Sequence, residues 1–307
     1  MMNLVVGSTG PVGLGREMCY RLVRDGMPVR ALVRRTSNPA LVKELARRGV
    51  ELVLGDLKDR ASLDAVCQGV TAVLTSATTT LHAQPGDTIA SVDLNGYRNL
   101  IDAASQAGVR RFVYTSYSRN LNLPCPLTDA KRTIEALIMR SGFNYTILRP
   151  GYFMETWMGS GLGIDPIHHR ARIYGTGNAK VSWIATGDVA KFGVAALYHP
   201  VGRNAILELG GPEALSTLEV IRLCEQLGGR PFTLDYVTEE ELKAQLTTSS
   251  DPLQQSFAAL KLGLVYGDEI DMRDTLRLFP IRLGSVRDYL GRLYGMHPTP
   301  EHVHPPT

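Results

Sequence analysis

Seven residues near the start of the chain, Gly7-Ser8-Thr9-Gly10-Pro11-Val12-Gly13, set three glycines at intervals of three. Backbone without Cβ atoms can turn sharply and approach an anion closely. Placed ahead of a helix, it aims unpaired N–H groups and the positive dipole end at that anion. The chemistry this pattern suits is phosphate binding. Gly7 is read as the tight turn, Gly10 as the point where the main chain nears a pyrophosphate, and Gly13 as the close contact between helix and strand. Thr9 and Val12 belong to the same turn, and Pro11 is read as a first-turn helical residue whose missing N–H has no partner to lose.

A second group of chemistry-bearing residues follows the next apolar run, Val29-Arg30-Ala31-Leu32-Val33, which ends at Arg34-Arg35. In dinucleotide-binding folds this position reads the adenosine ribose. An acid there would accept hydrogen bonds from a free 2′-hydroxyl, whereas guanidiniums offer a forked, permanently charged partner to a 2′-phosphate. The expected cofactor is therefore NADP(H).

The elements that must position these groups alternate along the chain. Asn3-Leu4-Val5-Val6 is a buried strand, and the stretch from Arg16 is a helix. A helix over 38–48 carries Leu41, Val42 and Leu45 at helical spacing, and Val50-Glu51-Leu52-Val53-Leu54 is a third strand ending at Gly55-Asp56-Leu57. A helix from Arg60 to Gln68 leads to the strand Thr71-Ala72-Val73-Leu74, which opens into Thr75-Ser76-Ala77. One long helix is expected over 89–108, then the strand Phe112-Val113-Tyr114 running into Thr115, a helix over 129–140, and the strand Tyr145-Thr146-Ile147-Leu148 before Arg149-Pro150-Gly151. Such alternation specifies a Rossmann-type doubly wound parallel α/β sheet, with ligands at the carboxyl ends of the strands. Gly7, Arg34, Asp56, Thr75 and Thr115 all fall at those ends.

At this point the chain resembles an atypical short-chain dehydrogenase/reductase of the NmrA-like group, which includes isoflavone-reductase-like enzymes and related photosystem assembly factors. The resemblance covers about residues 3–215. It rests on the glycine turn, Arg34-Arg35, Gly55-Asp56-Leu57, Val92-Asp93-Leu94-Asn95-Gly96, Phe112-Val113-Tyr114-Thr115-Ser116, Lys131 and Leu148-Arg149-Pro150-Gly151-Tyr152-Phe153. It implies that Asp56 and Leu57 lie against the adenine, and that Thr75, Ser76 and Ala77 lie by the ribose and pyrophosphate. Pro150, Tyr152 and Phe153 would flank the nicotinamide, Thr115 is a further cofactor-binding candidate, and Lys131 matches the family's active-site lysine, which usually holds the nicotinamide ribose and lowers the pKa of a neighbouring hydroxyl. An ammonium near a phenol or alcohol favours its ionised form, so that role is physically coherent.

One departure matters. The tyrosine that usually precedes the lysine by one helical turn is Leu127 here, which cannot transfer a proton. Tyr117 stands at the serine position of the fifth strand, between Ser116 and Ser118. Three alternatives stay open: Tyr117 supplies a hydroxyl, Lys131 is itself acid or base, or the protein does no hydride chemistry and is an NADP(H)-binding sensor or assembly factor. The reductase reading implies hydride transfer to a small apolar or aromatic carbonyl, enone or imine-type substrate.

Beyond Gly151 the periodicity loosens. Residues 1–151 are expected to form the nucleotide domain, completed by about 185–212, with 152–184 and 213–295 as a smaller C-terminal substrate lobe and 296–307 as a mobile tail. Phe257, Leu260, Phe279 and Leu283 are candidates to shape an apolar cavity, with core packing the favoured reading. Asp188 is read as a helix cap or first-turn acid, and Ser216-Thr217-Leu218-Glu219 as a capping box. His168-His169 lack a further ligand at usable spacing, and no metal is expected.

Composition excludes little but is consistent. A net charge of +3 is spread along 307 residues with no basic stripe interleaved with aromatics, so no nucleic-acid partner is expected. The four cysteines show no CxxC spacing, which suits a reducing compartment. No apolar run is long enough to span a membrane and no targeting segment is legible, so the expectation is a cytoplasmic protein without a membrane partner, monomeric or a weak homodimer.

Overall fold

The computed structural model describes residues 2–296 apart from His82 and Ser160. The tail expected over 296–307 lies outside the described residues except for Met296. In chain order the elements begin β1 (Met2–Val6), α1 (Leu14–Arg24), β2 (Val29–Val33), α2 (Pro39–Arg47), β3 (Glu51–Leu54), α3 (Arg60–Cys67) and β4 (Val70–Thr75). A π-helical segment, Ile89–Gly96, runs into α4 (Tyr97–Gln106), then β5 (Arg111–Thr115), α5 (Pro126–Arg140), β6 (Asn144–Pro150) and the short α6 (Met154–Trp157). There follow β7 (Ile164–Asp165), β8 (Arg170–Tyr174), β9 (Lys180–Val181), α7 (Thr186–Tyr198), β10 (Ala205–Leu209), β11 (Leu215–Ser216), α8 (Thr217–Gly228) and β12 (Thr233–Val237). The chain closes with α9 (Glu239–Thr248), α10 (Pro252–Tyr266), α11 (Arg273–Leu278) and α12 (Val286–Leu293).

Seven strands form a wholly parallel sheet in the order β10-β6-β5-β4-β1-β2-β3. The order reverses between β1 and β4, where Val6 pairs with Thr75 on one side and Leu32 on the other. The crevice beyond the carboxyl ends at this switch is where such sheets take their ligands.

Alternation along β1 sends Leu4 and Val6 to one face and Val5 to the other. Below Leu4 and Val6 pack Leu63 of α3, Tyr97 and Leu100 of α4, and Ile134 and Ile138 of α5. Across the sheet, Val5 meets Met18 and Leu22 of α1 and Val189 and Phe192 of α7. A third core, around Trp183, Tyr152, Met154, Val220 and Leu262, joins β7–β9 to α8–α10 at the edge of the sheet.

Local signals explain most element ends. Ser216 and Glu219 form the expected capping box of α8, and Asp188 sits in the first turn of α7, where its carboxylate binds Lys191 Nζ at 2.6 Å and the Gly284 amide at 2.7 Å. The expected single helix over 89–108 instead opens as a π-helix, within which Asp93 is turned inward and accepts from the Thr79 amide (3.1 Å) and hydroxyl (2.6 Å). Phe279 and Leu283 take the favoured of their two readings and belong to the core under α7. The segment after α11 folds back there and sets the Phe279 ring edge-on to Phe192, their centroids 6.0 Å apart, with the His199 ring 5.2 Å away.

Candidate functional site

The glycine turn is two consecutive β-turns. The Gly10 amide donates to the Gly7 carbonyl at 3.3 Å and the Gly13 amide to that of Gly10 at 3.2 Å. Pro11 occupies the second position of the second turn, outside α1, where its fixed φ suits the turn. Gly7 has φ +95°, and a Cβ there would come within 2.8 Å of the Ala77 amide nitrogen, so the loops after β1 and β4 touch through it. The close helix-to-strand contact expected of Gly13 is made by Gly15 instead, where a Cβ would meet the Gly7 carbonyl oxygen at 2.6 Å. Gly13 serves the turn by adopting φ +84°. The amides of Thr9, Val12 and Leu14 meet no acceptor among the described residues, so the turn offers a donor cradle at the start of α1.

A cleft runs from this turn toward the end of β2. Gly7, Thr9, Gly10, Pro11, Val12, Gly13, Arg34, Ser37, Asp56, Leu57, Ser76 and Ala77 line it. At its far end Ser37 accepts from the Arg34 amide at 2.9 Å and its hydroxyl meets that of Thr9 at 3.0 Å, tying the β2 loop to the glycine turn. Arg34 Nη1 binds Asp87 Oδ2 at 2.7 Å, and Lys58 Nζ binds Asp87 Oδ1. Arg35 is exposed and lines no part of the cleft, so the guanidinium pair expected from the sequence is one guanidinium there; Lys58 stays outside the lining and shares Asp87 with Arg34. Thr75, expected beside the ribose, is fully buried. The strand alternation turns it away from the cleft, and its hydroxyl pairs with Tyr97 at 2.9 Å.

Val12, Leu14, Ser76, Thr78 and Leu81 also line a second chamber, so the cleft continues into it. Thr115, Tyr117, Leu127, Lys131, Pro150, Tyr152, Phe153, Trp157, Phe257 and Leu260 make its walls, which are largely apolar. The Tyr152 hydroxyl is committed to the Leu260 carbonyl at 2.7 Å, and its ring lies edge-on to Trp157 at 5.2 Å.

Lys131 projects from the inner face of α5. That helix starts at Pro126, with the Cys125 thiol accepting from the Thr128 amide, and places Thr128, Lys131 and Glu135 inward at helical spacing. The Lys131 side chain is only 5% exposed; its ammonium donates to the Thr115 carbonyl at 3.2 Å and lies 5.2 Å from the Tyr114 ring centroid and 5.9 Å from that of Tyr97. Burial holds its pKa below the ordinary lysine value, and the charges of Asp93 and Glu135 act against that shift. Glu135 is not free to pair with it exclusively, because Arg132 (2.7 Å) and Arg149 (2.5 Å) grip its carboxylate. Tyr117 gives its hydroxyl to a 2.5 Å contact with Thr128, and burial raises its phenol well above the ordinary range.

The structure therefore brings most of the expected residues to one continuous groove and leaves out Arg35 and Thr75. Sequence reasoning missed Asp87, Lys58, Ser37 and the role of Asp93. Asp93 lay within Val92-Asp93-Leu94-Asn95-Gly96, but only its inward turn shows what it holds. His168 and His169 are spoken for: His168 pairs with Asp165 at 2.9 Å and His169 packs on Phe232 and Tyr294. Among the described residues no cluster of three metal-ligating side chains occurs.

Comparison with known proteins adds three findings. The model of the NmrA-like family matches residues 3–273. The chain is 34% identical over 234 residues to the photosystem II assembly factor Ycf39 of Trieres chinensis, covering 75% of this chain and 70% of that one, and 32% identical to an NAD(P)H azoreductase of Xenophilus azovorans, covering 82% of each. Its fold matches the crystal structure of an NADPH-dependent quinone oxidoreductase from Escherichia coli complexed with NADPH with a TM-score of 0.75 at 23% identity, over 96% of this chain and all of that one.

Proposed function

We propose, for a chain that belongs to the NmrA-like family, an NADP(H)-dependent reductase that passes hydride to a small apolar or aromatic carbonyl, enone or imine-type acceptor. The carrying observation is that a phosphate-suited turn with Arg34 at one end, linked to Lys58 through Asp87, opens into an apolar chamber holding a buried ammonium at the other. The residues fit the cofactor: the donor cradle at Gly7–Gly13 suits a pyrophosphate, the cations beyond β2 and β3 suit a 2′-phosphate, and Pro150, Tyr152 and Phe153 flank the place left for a nicotinamide. NADPH, when bound, supplies the hydride. Relatives named as an azoreductase and a quinone oxidoreductase support an acceptor suited to an apolar chamber.

The chain's own residues supply the rest. Leu127, Trp157, Phe257 and Leu260 exclude water from the reacting face. As an acceptor's oxygen or nitrogen gains charge, the Lys131 ammonium stabilises it and gives up a proton, which its burial-lowered pKa makes easier. The Thr115 carbonyl holds the amine in place. Tyr117 is the weaker candidate, since its phenol is both raised and engaged by Thr128.

Leu127 favours a second reading, a non-catalytic NADP(H)-binding assembly factor or redox sensor, in line with the Ycf39 relatives. Purified protein titrated with NADPH and then assayed against quinones, enones, aldehydes and imines decides between them. Binding with loss of nicotinamide absorbance on any acceptor supports the reductase. Binding with no turnover across the panel moves the reading to the partner-dependent role.

A further inference from the structure

Asp87 is separated from Arg34 by 53 residues and from Lys58 by 29, yet both oxygens of its carboxylate are taken up at the adenosine end of the cleft. Oδ2 accepts from Arg34 Nη1 at 2.7 Å and from the Gln84 amide at 3.0 Å, and Oδ1 accepts from Lys58 Nζ. Its side chain is 3% exposed, while those of Arg34 and Lys58 are 27% and 31% exposed. Arg34 and Asp87 both line the cleft, and Lys58 reaches the carboxylate from beside it. Asp56 is the other acid facing this group, 3.9 Å from Lys58 Nζ, and Arg35 faces solvent.

We propose that Asp87 is a specificity-determining residue, an internal anion occupying on Arg34 and Lys58 the place that a 2′-phosphate takes. This rests on the reading of the cleft as a nucleotide site. A 2′-phosphate carries more charge than a carboxylate and offers three acceptor oxygens, so it can win both cations. Asp87 cannot remain between them without like-charge contact, so NADP(H) displaces it together with the segment 83–88 that carries it. A nucleotide with a free 2′-hydroxyl brings no second anion, so it leaves Asp87 on its two cations and displaces nothing. Preference between the two nucleotides is then the outcome of a competition inside the protein. Burial works against the Asp87 charge, and the Lys58 and Arg34 hydrogen bonds hold its carboxyl below the usual range all the same, so the competitor is present as an anion.

Binding of 2′,5′-ADP and of 5′-ADP to the full chain, by calorimetry, tests this without turnover. Asp87→Asn keeps the shape and removes the charge. It should tighten 2′,5′-ADP by about tenfold or more, the scale of one charge-assisted hydrogen bond, and change 5′-ADP by less than about threefold. Asp87→Glu retains the acid and should keep the wild-type ratio, while Arg34→Ala in the Asp87→Asn background should erase the tighter binding. Hydrogen exchange over 83–88 in the wild type should quicken with 2′,5′-ADP and not with 5′-ADP. Unchanged or weaker 2′,5′-ADP binding by Asp87→Asn overturns the proposal while leaving the nucleotide site intact. Failure of every variant and the wild type to bind either nucleotide overturns the site itself.

Discussion

Replacing Lys131 by methionine removes a charge and a proton while leaving a side chain of similar length in the same space. The wild-type ammonium holds one hydrogen bond, to the Thr115 carbonyl, lies over two aromatic rings, and is nearly sealed from solvent. If it is the proton donor, its loss slows turnover by about 10²–10⁴-fold, or about 3–5 kcal/mol of barrier. Nucleotide binding through the Gly7–Gly13 turn and Arg34 should change far less, because those groups line the other end of the groove. The pH dependence has a definite sign. Lys131 titrates below its unfolded value of 10.5, so the folded state disfavours its charge, and that cost is fully present below the folded pKa. Between the folded pKa and 10.5 the unfolded chain binds more protons, so wild-type stability relative to Lys131→Met rises with pH through that window. In the same window kcat/KM of the wild type should fall as the donor loses its proton. Single-turnover NADPH oxidation and denaturant unfolding across pH measure both. A Lys131→Met protein that turns over within about threefold of wild type, or keeps the same alkaline limb, refutes the assignment of the proton to this amine.

The two glycines that differ most in their surroundings should fail in different ways. Gly15→Ala places a Cβ 2.6 Å from the Gly7 carbonyl oxygen and should cost about 1–3 kcal/mol in unfolding measurements, whereas at Gly10 the nearest atom would be 3.4 Å away, so Gly10→Ala should fold normally and lose NADPH binding. Arg34→Ala should weaken NADPH by about ten- to a hundredfold and leave NADH nearly unchanged, while the exposed Arg35→Ala should change either by less than about threefold, as read by fluorescence titration. Tyr117→Phe loses the 2.5 Å contact with Thr128 and should lower stability by about 1 kcal/mol with turnover reduced by less than about tenfold. A loss matching that of Lys131→Met would move the proton donor to Tyr117.

What could be read from residue order was what depends on neighbours in the chain. The glycine turn, the alternating elements and the capping box at Ser216 and Glu219 are local, and each recurs in the structure. Sequence and structure part company where a side chain's partner lies far away. Gly13 and Gly15 differ by two positions, and only the path of the loop decides which one meets the strand. Thr75 and Ser76 are adjacent, but strand alternation buries the first against Tyr97 and presents the second to the cleft. Arg35 follows Arg34 in sequence and turns to solvent, while the cation that shares Asp87 with Arg34 is Lys58. No periodicity signals a contact of that kind. Nor does helical spacing reveal the π-helical entry to α4, within which Asp93 is turned inward.

Leu127 and Lys131 bear on the choice between catalysis and mere binding when they are taken together. A leucine at the chamber wall removes the usual phenol and raises the apolar character around the ammonium four residues on. Burying that ammonium is unfavourable by itself, and the fold offsets the cost with Thr115, two aromatic faces and the charge of Asp93. Lys131 lines the chamber and not the phosphate cleft, so its place suits either the nicotinamide ribose or a reacting acceptor rather than the phosphates. On the reductase reading proposed above, a buried ammonium facing apolar walls has a task inside the chamber, which is to meet charge developing on an acceptor. Leu127→Tyr supplies the decisive comparison. If Lys131 alone carries the proton, adding a phenol one turn away should leave the Lys131→Met variant inactive. Recovery of turnover in the double variant would show instead that a hydroxyl placed at position 127 reaches the reacting acceptor.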